Sequence, residues 1–217
     1  NKSNSITTAD ASIINQSLLG NPAALAQFKT SWRFTPTTPA LSIPPWGFSE
    51  KITLTGMNSD VPDQDFFGIK TGDVVTAFAN PANLASVDPF VFNVQDQMLQ
   101  TDSELTAEFT ANQFDDLASI QFALSFDPAK LHLDSIEPLN AIPLSLGDFG
   151  TYNIDEGELR VVWSQPQGVD VEEGAAVFRL TFSVLQGGDD LSEVLLLDHS
   201  ILLGRAYNSM LDQFDVE

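Results

Sequence analysis

Oxygen-bearing side chains crowd the start of the chain. In "NKSNSITTAD", Asn1, Ser3, Ser5 and Thr7 fall on alternate positions and Asp10 adds a carboxylate at the end. Such a run can be a polar tail ending in a capped helix, with Thr7 as N-cap and Asp10 at the capping-box spacing. It can equally be part of a cation loop, because a hard ion such as calcium gathers oxygens from alternate loop positions and a closing carboxylate. The two readings are compatible, since a loop of this kind leads straight into its helix.

Other reactive chemistry is thin. Cysteine is absent, which removes disulfides, thiolate metal sites and cysteine nucleophiles. There are two histidines: His132 alternates outward between Leu131 and Leu133 in "KLHLDS", and His199 follows Asp198 in "LLDHSIL". Both read as exposed strand or loop residues rather than bases. No nucleophile-elbow, zinc-protease, phosphate-loop or dinucleotide motif occurs. Most carboxylates sit in turns such as "NIDEGE", "DVEEG" and "GGDD", where solvation and Asp turn chemistry account for them. "GIKTGDVV" precedes no clear helix and lacks phosphate-loop spacing. The chain therefore reads as a non-enzyme.

Charge narrows the partners. The 217 residues carry a formal net charge of −21, which argues against nucleic acid because phosphate binding needs a basic face. Residues 1–85 hold 6 acids and 5 bases, whereas residues 86–217 hold 24 acids and 4 bases. That shift suggests two units with different surfaces, the second suited to an exposed extracellular setting. No apolar run reaches the ~18 residues needed to span a bilayer.

The elements that would position these groups also fall into two sets. Residues 7–19 read as a short helix ended by Gly20, Asn21 and Pro22, followed by a second short helix through about Phe28. Residues 29–62 are proline-rich and irregular, with Trp32, Phe34, Trp46 and Phe48 as anchors and one short strand at "KITLTG". Trp32 and Trp46 could staple this backbone or stack on sugar rings. Phe66, Phe67 and Ile69 are placed beneath a turn at Gly72-Asp73. The expected organisation is a module over residues 1–80, a linker over 81–88 and a sandwich over 89–217. In the last part, period-2 alternation sends Leu105, Ala107 and Phe109 to one face, and likewise Ile120, Phe122, Leu124 and Phe126. Leu159, Val161 and Trp163 repeat it, as do Phe178, Leu180, Phe182 and Val184. Several such segments between turn signals predict an antiparallel β-sandwich, so the fold class is mainly β with a small helical and irregular module in front.

"NSITTADASIINQSLLG" resembles the loop–helix repeat of dockerin modules, and "DQDFFGIKTGDVV" resembles the closing part of dockerin-like modules in multidomain secreted and surface proteins of Bacteroidetes-type bacteria. The resemblance makes Asn1, Ser3, Ser5 and Thr7 loop positions 3, 5, 7 and 9, with Asp10 at position 12. Loop position 1 then falls before Asn1, so the chain is expected to be one segment of something longer. Asn4 stands where the family has Gly. Val75 replaces an Asn of the closing motif, whose carboxylate is Asp73. Calcium is the implied cofactor, held by Asn1, Ser3, Ser5, Thr7 and Asp10, with Asp73 as a possible addition. The sparse carboxylates suit the millimolar calcium of extracellular fluids.

"ASIQFALSFDPAKLHL", "GELRVVWSQ", "GAAVFRLTFSV" and "RAYN" resemble cohesin-like sandwiches of the jelly-roll type. Together the resemblances imply a non-catalytic, secreted or cell-surface assembly or adhesion segment that engages a protein partner, or another copy of itself head to tail in a filament. The alternative is a carbohydrate-binding appendage of a larger secreted enzyme or adhesin, which requires exposed aromatic rings for a polysaccharide.

Overall fold

The computed structural model describes residues 8–28, 32–37, 49–56, 58, 60, 64–70 and 88–217. The chain divides into two compact units, one formed by residues 1–14 and 23–79, the other by residues 15–22 and 80–217.

The first helix, α1, runs Thr8–Leu18, and α2 (Pro22–Leu25) continues into a single 3-10 turn at Ala26–Phe28. In the first unit β1 (Trp32–Pro36) pairs antiparallel with β2 (Phe66–Lys70), placing Phe34 opposite Gly68. Within the stretch 29–62 expected to be irregular, residues 32–36 thus form a regular strand. Pro36 is tolerated at the end of β1, on an edge where a missing N–H costs little. Trp32 (43% exposed) and Phe34 (52%) lie on one face of β1, so they do not anchor a buried core as the sequence suggested. Phe66 and Phe67 are likewise exposed. "KITLTG" forms no strand: residues 51–56 have no ladder partner among the described residues, and alternation alone does not make a strand.

The second unit is a sandwich of two antiparallel sheets. One sheet has the order β3 (Phe92–Asn93), β4 (Glu104–Ala111), β9 (Ala175–Val184), β6 (Leu131–Pro138). The other runs β12 (Gln213–Asp215), β11 (Arg205–Asn208), β5 (Phe114–Phe126), β8 (Glu158–Val171), β7 (Phe149–Gly150), with β10 (Leu195–Leu197) also on β5. A four-residue helix, α3 (Leu191–Val194), leads into β10. The alternating residues read from the sequence do point inward, and each of the fourteen named above is buried.

Phenylalanine holds the sheets together. Phe178 of β9 is stacked on Phe109 of β4 at 4.3 Å between ring centroids, and it meets the rings of Phe92, Phe122 and Phe149 at 5.7, 6.1 and 5.6 Å. Phe126 and Phe182 repeat the bridge at 5.4 Å toward the other end. Apolar area removed from water drives this packing, and the offset ring geometries fix its register.

Candidate functional site

Of the residues singled out for cation binding, Asn1, Ser3, Ser5, Thr7 and Asp73 lie outside the described residues, as does Trp46. Asp10 is half-exposed in the first turn of α1, where a carboxylate complements the helix N-terminus. Among the described residues no group of three or more His, Cys, Asp and Glu is arranged to hold a metal.

Two serine–histidine–aspartate neighbourhoods occur, and neither has the order that nucleophilic catalysis needs. On the outside of β6 and β9, His132 Nδ1 lies 3.0 Å from Asp134 Oδ1, and Ser183 Oγ donates to Asp134 Oδ2 at 2.7 Å. The carboxylate therefore stands between serine and imidazole, so no base is placed to take the hydroxyl proton. The Ser183 hydroxyl, and then His132, hold the Asp134 carboxyl below the usual carboxylate range. In the second, Asp198 caps Ser200 while His199 Nδ1 accepts the backbone N–H of Gly204 at 3.1 Å. That is a loop brace.

A cavity of about 230 Å³ opens beside β3 and β10. Phe92, Phe109, Leu124, Leu191, Leu195 and Leu197 line it. Of its two carboxylates, Asp96 and Glu217, Asp96 is already engaged, accepting from the Ser192 N–H at 3.0 Å and hydroxyl at 2.8 Å. The rest of the wall is mainly apolar and carries no His, Lys or Arg.

The two outer faces of the sandwich differ more usefully. Across β4, β9 and β6 the face is charged: Arg179 reaches Glu108 on one neighbour and Glu137 on the other, each at 2.6 Å. These two carboxylates raise the Arg179 pKa further, so the guanidinium stays fully charged. Across β11, β5, β8 and β7 short side chains alternate with Tyr207, Arg205, Gln121 and Arg160. Strand register places Tyr207, Ser119 and Ser164 in one row; Arg205, Gln121 and Val162 in the next; and Ala123, Arg160 and Gly150 in a third. Val162 and Ala123 are buried although they face away from the core, at 7% and 0% exposure. Tyr207 is half-buried, and that burial pushes its phenol pKa up. Its hydroxyl donates to Gln213 at 3.1 Å. Arg205 is paired with Asp215.

Residues 15–22 pack at the β7–β8 end of this face. Arg160 Nη1 donates to the Leu18 carbonyl at 3.3 Å, and Asn21 Nδ2 donates to Tyr152 Oη at 2.9 Å. Sequence reading missed Gly150, Tyr152 and Arg160. A two-residue strand carries no alternation, and which residues share a row is known only once the strands are paired.

The second unit is thus a two-sheet antiparallel sandwich with a Phe-bridged core and two outer faces of different chemistry. The sequence profile of the cohesin domain matches residues 90–210, more than half of the chain, and the chain belongs to the cohesin family. Cohesin domains are non-catalytic protein-binding modules, and this one is not an enzyme. Similar solved structures include the sixth cohesin of Acetivibrio cellulolyticus scaffoldin B in complex with a Cel5 dockerin (13% identity, TM-score 0.46, 58% of this chain and 92% of that one). A Clostridium thermocellum type I cohesin–dockerin complex is similar at 7% identity and TM-score 0.48, over 59% of this chain and 94% of that one. The cohesin CaCohA2 of Clostridium acetobutylicum is similar at 14% identity and TM-score 0.47, over 59% and 86%. No curated protein sequence matches the chain.

Proposed function

We propose that this chain is an assembly segment of a secreted or cell-surface protein, and that its sandwich recognises a dockerin-type protein partner through the outer face of β11, β5, β8 and β7. The supporting observation is the contrast between faces. Interface cores are depleted of charge and need close approach of two surfaces. Ser119, Ser164 and Gln121 offer that around the buried Ala123 and Val162, whereas Glu108, Arg179 and Glu137 would have to be desolvated on the other side. The similar cohesins solved with dockerins bound support the choice of partner. Self-association through the same face belongs to this reading, and a contact that does not close would grow head to tail.

The test is titration of the full chain with a panel of recombinant, calcium-loaded dockerins by calorimetry, together with sedimentation at rising concentration. Binding is expected, weakened roughly tenfold or more by Ser119→Arg in the middle of the face and unchanged by Thr106→Arg on the opposite sheet. Equal losses from both variants would move the site elsewhere. No binding and no self-association across the panel would remove the reading.

A second reading is favoured by one observation in the other unit. Trp32 and Phe34 present exposed rings on one face of β1, and both lie over Gly68, where a Cβ would come within 3.6 and 3.5 Å of them. Two rings side by side on a ribbon suit stacking on a sugar chain. Retention of the full chain on insoluble polysaccharide, lost on Trp32→Ala, would support it; equal elution of the two proteins would end it.

A further inference from the structure

The end of α1 is a complete helix terminus. Gly20, at φ +84°, sits just past the end in the left-handed conformation that costs glycine little. Its N–H bonds to the Ser17 carbonyl at 3.1 Å, and the Asn21 N–H bonds to the Gln16 carbonyl at 2.9 Å. These are the two bonds of a Schellman cap. Leu19 N–H meets the Asn15 carbonyl at 3.0 Å. The Leu18 carbonyl belongs to the last turn, where the helix has no further N–H to offer, and Arg160 Nη1 donates to it. A guanidinium at a helix C-terminus also faces the negative end of the helix dipole.

The sandwich side is built for this contact. Arg160 Nε donates to Glu158 at 2.5 Å, and Asn153 Nδ2 donates to the same carboxylate oxygen at 3.1 Å, so the guanidinium is held from behind. A Cβ on Gly150 would sit 2.0 Å from the Leu19 carbonyl oxygen; only glycine admits the helix end so close to the sheet. Leu19 is buried there. The Tyr152 hydroxyl accepts from Asn21 and donates to Gln16 Oε1 at 3.4 Å, gripping the cap by side chains of both its ends. Residues 15–22 thus pack with the sandwich while lying more than sixty positions before its first strand.

We propose that Gly150, Tyr152 and Arg160 form a receptor for a helix C-terminus capped by a left-handed glycine, and that residues 15–22 are its built-in occupant. The segment is then a removable cover over the β7–β8 end of the recognition face. A partner that presents a helix end of the same chemistry competes with it for Arg160 and for the space above Gly150. This rests on the reading of that face as a protein-binding surface, and it adds what the surface recognises and what holds it closed.

The test uses the full chain, isotope-labelled for NMR, and a synthetic peptide of residues 8–22 as the probe. Leu19→Asp places a charge in the buried position and releases the cover. The peptide is expected to bind this variant about tenfold or more tightly than wild type, because wild type carries a tethered competitor at high effective concentration. The amide shifts should fall at residues 150, 152 and 160. Adding Gly150→Val to Leu19→Asp should abolish binding; if that variant does not fold, Arg160→Ala in the same background serves. Amide exchange provides a second measurement: Gly150→Val alone should strip protection from Leu19, Gly20 and Asn21 while leaving the β5 and β9 amides protected. Equal peptide affinity for wild type and Leu19→Asp, absence of binding to Leu19→Asp at millimolar peptide, or unchanged protection at residues 19–21 would each overturn the proposal. The peptide arm needs no dockerin, so the cover can fail while recognition stands, and a silent dockerin panel leaves the peptide result intact.

Discussion

Replacing Phe178 with alanine tests the core at a ring that touches four others. Phe178 is fully buried and touches the rings of Phe92, Phe109, Phe122 and Phe149, which come from both sheets. Truncating a buried phenylalanine to alanine costs about 3–5 kcal/mol, the upper part of that range applying where neighbours cannot collapse into the gap. Four flanking rings fixed on four different strands (β3, β4, β5 and β7) cannot all move inward, so a loss of about 4–5 kcal/mol is expected. Against a typical total stability of about 5–15 kcal/mol, that would leave the sandwich marginal. Urea unfolding followed by circular dichroism measures the change, with Leu196→Ala as the exposed control expected within about 0.5 kcal/mol of wild type. The Phe109→Ala cycle isolates the stacked pair, for which a coupling of about 0.5–1.5 kcal/mol is expected. A Phe178→Ala loss below about 1.5 kcal/mol would mean that the sheets are not joined through this ring, since even isosteric core changes approach that size.

Three further outcomes follow from the same geometry. Asp96, Asp134 and Asp198 are held below the ordinary carboxylate range, chiefly by Ser192, Ser183 and Ser200 respectively. Because their folded values are depressed, the stability they contribute is fully present above the unfolded value near 4 and is lost as pH falls through the lower folded values; the urea midpoint should drop there, and less steeply when all three are changed to Asn. Arg179→Met, which removes both exposed cross-strand pairs, should leave the melting midpoint unchanged within error, since exposed ion pairs contribute little. If the loop ending at Asp10 binds calcium, the melting midpoint of the full chain rises with calcium by mass action and Asp10→Ala removes the rise; a midpoint indifferent to about 10 mM calcium would count against that loop.

What the sequence disclosed, and what it hid, follows from how far along the chain each cause reaches. Leu105, Phe122, Leu159 and Phe178 were legible because a strand of eight or more residues with one buried face must alternate, and alternation is local. Strands of two or three residues such as β3, β7, β10 and β12 carry no such pattern; they exist because a longer neighbour supplies the ladder. "KITLTG" shows the converse, a local pattern with no neighbour among the described residues to complete it. The outward residues were the least legible. Ser119, Gln121, Ala123 and Ser164 look in sequence like any solvated strand face, and only register brings them together on one side of the sheet. Gly20 read correctly as a helix stop, yet the same residue also lies 3.4 Å (from its notional Cβ) from the Arg160 side chain, 140 positions away. A terminator is a local requirement and a docking surface is a tertiary one, so a single glycine can satisfy both while the sequence displays just the first. The functional proposals therefore concentrate on residues whose types are unremarkable and whose neighbours are distant in the chain.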